Sequence, residues 1–147
     1  MSLNDWASNG WLRAHQSSKK EIAGLLSIVD RDLQDATNGG LSDDWKFGIA
    51  YNAALKLCTI QVHASGYRPE KTLQHFRTIQ ALPLILGDSR KADTVYLDAC
   101  RIKRNTVEYD MAGAATSADA AELLDFANGL RTDVMDWLKK QHPQLVP

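Results

Sequence analysis

The chain has 147 residues, about one domain's worth, and a domain of that size buries roughly two thirds of its unfolded surface, enough for a core without staples. Its composition, 44% hydrophobic and 24% charged, is that of a globular protein rather than a disordered or fibrous one. A formal net charge of -1 excludes a molecule-wide positive field for nucleic acid, so any anion site has to be a local patch.

The opening "MSLNDWASNGWLRAH" carries no basic region followed by an apolar run, and no stretch approaches the ~20 apolar residues that span a bilayer. Cys58 and Cys100 fall inside helical segments, with no CxxC, which favours free thiols. The expectation is a cytoplasmic protein that does not engage a membrane.

After a lead containing Trp6 and Trp11, Ser18 and Glu21 have the S-x-x-E spacing of a capping box. A helix over about 19 to 37 follows, with Ile22, Leu25, Leu26, Val29 and Leu33 on one stripe, until "TNGG" supplies a glycine exit. Ser42 caps a second helix over 43 to 65, whose only charges after the acidic first turn are Lys46 and Lys56; it is expected to be central and most buried. Gly66 ends it, and Pro69 suits the first position of a third, shorter helix that Pro83 limits to 69 to 82. "LGDSR" reads as a turn before a helix over about 90 to 110, which "AGAATS" breaks. Thr116 or Ser117 then caps a last helix to about Lys140, with Leu123, Ala127, Leu130, Val134 and Trp137 on one stripe. Nothing alternates with period two. The expected fold is all-α: one domain over 1–147, with its core about 18–140, as an antiparallel up-and-down helical bundle of four long helices plus one short helix.

The segment "RIKRNTVEYD", residues 101–110, concentrates polar chemistry. At about 100° per residue, Val95, Ala99 and Ile102 form the predicted core arc, while Asp98, Arg101, Asn105 and Tyr109 run along its flank. Arg104 and Glu108 fall further towards solvent, at the spacing of a surface ion pair worth ~0.3–0.5 kcal/mol. A solvated face would account for such pairs. Two forked guanidiniums, an amide and a phenol also suit a phosphate and a base, so this flank is expected to line a concave, partly buried pocket.

"LDACRIKRNTVEYD", following "IAYNAAL" and "GYRPEKTLQH", resembles the HEPN domain superfamily of helical bundles, over roughly residues 18 to 140. The resemblance implies a homodimer and a setting in toxin–antitoxin or stress systems, where many members are metal-independent RNases. Their motif is Arg, frequently then Asn, and a His after four to six intervening residues on a late helix. Arg104 and Asn105 match its start, and the His position falls on Tyr109. A phenol of ordinary pKa, about 10, is no base near neutrality. The resemblance therefore implies binding of a nucleotide or RNA element through Arg101, Arg104, Asn105 and Tyr109. Pairing with a protein partner such as a nucleotidyltransferase is the alternative. An RNase would need Arg104 with Tyr109 or His75 in the missing imidazole's place.

Other signals are weaker. His15, His63 and His142 show no HxxxH or HExxH spacing, so neither a metal nor another cofactor is expected; GxGxxG and GxxxxGK[ST] are absent. Asn52, in an apolar helix, needs a partner, since an unpaired buried amide costs about 1–3 kcal/mol; the Arg101–Asn105 flank is one candidate and a local bond the other. Trp6, Trp11, Trp45 and Trp137 have no basic residues interleaved and are expected in the core or a subunit interface.

Overall fold

The computed structural model describes residues 1–147, the side chains of Tyr109 and Asp110 excepted. The chain begins with α1 (Leu3–Ser8), opened by a box in which the Ser2 hydroxyl accepts from Asp5 N–H and Asp5 accepts from Ser2 N–H. β1 (Leu12–Ala14) leads into α2 (Lys19–Asp35), capped by Ser18, and α3 (Asp43–Ala64) starts on Ser42. These two helices start and end within two residues of their expected bounds. Only half of the expected box at α2 forms: Ser18 accepts from Glu21 N–H, while the Glu21 carboxylate turns to His15 and His63.

The third helix departs from expectation. Pro69 lies not at a helix start but in β2 (Tyr67–Pro69), which pairs antiparallel with β1 in the register Leu12↔Pro69, Arg13↔Arg68 and Ala14↔Tyr67. Its partner strand lies in the aromatic lead, and no local pattern reveals so distant a pairing. α4 (Gln74–Gln80) begins only after Leu73, which adopts a left-handed φ of 56°. Pro83 sits in the first turn of α5 (Leu82–Leu86), where its missing N–H leaves nothing unsatisfied. A short 3₁₀ turn leads to α6 (Lys91–Asn105), which widens into a π turn over Thr106–Asp110. α7 (Ser117–Gln141) opens on a box between Thr116 and Asp119.

α3 is apolar on nearly every side, and Ala50, Ala53, Ala54, Leu57 and Ile60 are fully buried. Around it pack Ile22 and Val29 of α2, Leu97 of α6, and Leu123, Ala127, Val134 and Leu138 of α7. Glu21 meets His63 and Asp32 meets Asn52, so α2 and α3 run in opposite directions. Lys103 meets Asp119 and Arg90 meets Asp133, which opposes α6 to α7. A second cluster of Trp6, Leu12, Val62 and Ala81 seats α1 and the ribbon on the rest of the molecule. Cys58 and Cys100 are free and buried, and burial pushes their thiols up to about 12 and about 11. No helix among the described residues is long and apolar enough to cross a membrane.

The predicted core arc of α6 is wrong. Val95 is 72% exposed, Ile102 55% exposed and Ala99 is also exposed, while Thr94, Leu97 and Cys100 are buried. The helix is apolar on two opposite faces, and a wheel cannot tell which one meets the core. Turning it by about half a revolution brings Arg101 and Arg104 to the inner side, next to α3 and α4.

Candidate functional site

Residues 101 and 104 lie one turn apart on the inner side of α6, and each guanidinium approaches an aromatic ring from another helix. Arg104 Cζ is 5.9 Å from the Tyr51 ring centroid on α3, and Arg101 Cζ is 5.8 Å from that of Phe76 on α4. Arg104 is therefore not turned to solvent as its pairing with Glu108 suggests, although that pair forms at 2.9 Å. Arg101 Nε donates to Asp98 at 2.9 Å.

Arg104 lines a cleft of about 260 Å³ with Ser42, Asp44, Trp45, Gly48, Val107 and Glu108. Trp45 is 63% exposed there. That corrects the expectation of a core position for it; the guanidinium beside it in the cleft comes from α6, which reading along α3 alone does not reveal. Asp44 is committed to shaping the wall, its carboxylate accepting from Gly113 and Ala115 N–H at 2.6 and 3.2 Å.

Arg101 lines a neighbouring, shallower groove of about 280 Å³ with Lys71, Leu73, Gln74, His75 and Phe76. His75 has its proton affinity lowered, first by burial and then by the charges of Lys56, Arg104 and Arg101. Its imidazole is therefore neutral at physiological pH. The Tyr51 hydroxyl is buried and has no hydrogen-bond partner among the described residues; burial raises its pKa against the pull of Arg101 and Arg104. A basic patch with one neutral imidazole and one unpaired hydroxyl thus joins three helices.

The expected flank does not gather as one pocket. Arg101 and Arg104 line separate concavities, Asn105 is exposed, and the side chain of Tyr109 lies outside the described residues. Asn52 donates to Asp32 Oδ2 at 2.6 Å, not to the α6 flank. Sequence reasoning missed Trp45, Lys56 and Phe76 as neighbours of the arginines, because the first two belong to α3 and the third to α4, not to α6. It also missed the meeting of His15, Glu21 and His63: motif spacing is a local test, and these residues come from three segments. Comparison of the chain with protein-family models, curated proteins and solved structures finds no match.

Proposed function

We propose that this chain is a HEPN-like up-and-down helical domain that binds a nucleotide or RNA element at the Trp45–Arg104 cleft, within a toxin–antitoxin or stress system. One observation carries the reading: an exposed indole and a guanidinium line the same concavity. Stacking a base on such a ring is worth about 1–3 kcal/mol, and a phosphate takes the forked donors of Arg104 in place of Glu108. Lys56 and Arg101 extend the positive patch beyond the cleft. A second copy docks across the exposed stripe of Val95, Ala99 and Ile102, the solvent-facing side of α6.

Calorimetric titration with a nucleotide panel and short RNAs tests the binding. Arg104→Ala should weaken it in a salt-dependent way with helical content unchanged, since a lost phosphate contact is largely electrostatic. No binding to the wild type would make the cluster a packing device. Sedimentation at high micromolar concentration tests the pairing, and a single-chain mass would overturn it.

A second reading, a metal-independent RNase, is favoured by His75. A neutral imidazole beside two guanidiniums supplies the base that the motif lacks: it takes the 2′-hydroxyl proton as the 2′-oxygen attacks the phosphorus, the arginines stabilise the charged phosphate, and the imidazolium returns the proton to the 5′-oxygen as the P–O5′ bond breaks. Cleavage of RNA by the wild type and its loss in His75→Ala would establish it, and intact RNA would leave binding alone.

A further inference from the structure

We propose that His15, Glu21 and His63 form a site for one zinc-class divalent cation, separate from the arginine patch. His15 Nε2 lies 2.8 and 3.0 Å from the two Glu21 oxygens, and His63 Nδ1 lies 2.8 Å from Oε1. The two imidazole centroids are 4.6 Å apart at 49°, and the three donor atoms all fall within 4.8 Å of one another. A tetrahedral cation with bonds of about 2.0–2.2 Å wants its donors roughly 3.4 Å apart, so the cluster becomes a ligand set when each His–Glu contact opens by about 0.6 Å and the two imidazole nitrogens settle at the same spacing.

The scaffold holds these donors in place from both sides. His15 follows β1 directly, and its N–H donates to Gly66 O at 2.9 Å. Ser17 Oγ donates to the His63 carbonyl at 2.8 Å, and Ser18 Oγ accepts from Glu21 N–H. The segment carrying His15 is thus fastened to the end of α3 that carries His63. A capping-box glutamate would normally return to its own cap; here the carboxylate is given to the imidazoles instead.

The chemistry of the donors selects the ion. Two imidazole nitrogens and one carboxylate suit zinc and the later first-row divalent ions, whereas magnesium and calcium prefer oxygen alone. Burial, chiefly, lowers the proton affinity of His63, which favours the neutral imidazole a metal requires. Burial acts to raise the Glu21 pKa, but the hydrogen bonds from His15 and His63 outweigh it, and the carboxyl is held below its usual range. On binding, each ring moves the proton it now donates to its other nitrogen, freeing a lone pair for the metal. The side chains are 20%, 28% and 15% exposed, which leaves a fourth position open to water.

The test is a calorimetric titration of zinc chloride into the chelator-stripped full chain, with the cobalt(II) visible spectrum as a second readout. One equivalent should bind, and cobalt should show the intense bands of a four-coordinate site. His15→Ala, Glu21→Gln and His63→Ala should each weaken binding at least about 100-fold, the upper end of what loss of an outer-shell partner alone costs. His142→Ala should change nothing. His15→Ala lies outside the helices, so it tests the site even if His63→Ala fails to fold. No stoichiometric uptake by the wild type, or wild-type affinity retained in His15→Ala, would overturn the proposal and leave a bridging hydrogen bond.

Discussion

Gly48 lines the Trp45–Arg104 cleft from within α3, and a Cβ built there meets no atom within 4 Å. Glycine in a helix interior is worth about 0.5–1 kcal/mol less than alanine, so Gly48→Ala should raise stability by that amount in denaturant unfolding. Gly48→Leu should fold equally well but fill the cleft and weaken nucleotide binding. A destabilised Gly48→Ala would mean that the space is occupied. Single positions were the least legible part of the sequence. Asn52 was recognisable as an amide needing a partner, but that partner is neither the α6 flank nor a local group: it is Asp32 of α2, which only helix packing brings alongside. His75 could be suspected of approaching the arginines, yet its neutral state follows from burial and three surrounding charges that only the fold assembles.

At the level of elements, α6 offers the sharpest contrast. Leu97 is fully buried whereas Val95 is 72% exposed. For the single chain, measured below the concentration at which a second copy docks, Leu97→Ala should cost about 2–5 kcal/mol, and Val95→Ala less than about 0.5 kcal/mol of folding stability. Equal effects would restore the arc expected from the wheel. The start of α7 makes a pH prediction. The Asp119 carboxylate accepts from Thr116 N–H and from Lys103 Nζ, both at 2.9 Å, and its pKa is lowered from 3.8 to about 2, chiefly by the backbone bond. The unfolded chain then binds more protons between those values, so this contribution is complete above pH 3.8 and is lost as pH falls towards about 2. Unfolding of Asp119→Asn across that range should lack this part of the slope.

Elements with local signals were readable: Ser18, Ser42 and Thr116 all cap helices where their spacing places them. The box of Ser2 and Asp5 escaped notice because it uses aspartate where glutamate is the usual mark. The β1–β2 ribbon escaped because neither strand has enough residues to show alternation, and Pro69 carries a stronger helix-start signal than a strand signal.

Across the whole molecule, α3 is the common support. Its first turns hold Trp45 and Gly48, its middle Tyr51 and Lys56, and its last turn His63. A helix buried among α2, α6 and α7 is rigid, which suits it to position side chains that other segments complete. The same arrangement explains what the sequence could convey. Helical content follows from a period of 3.6 and local caps, whereas both sites are built from residues contributed by three segments each. Tryptophan fluorescence during titration of short single-stranded RNA, into the wild type and Trp45→Phe at low and high salt, tests the cleft most directly. Base stacking on Trp45 predicts saturable quenching that disappears in Trp45→Phe and weakens with salt, as a phosphate held by Arg104 requires; RNA binding without quenching, or quenching that survives Trp45→Phe, would contradict it.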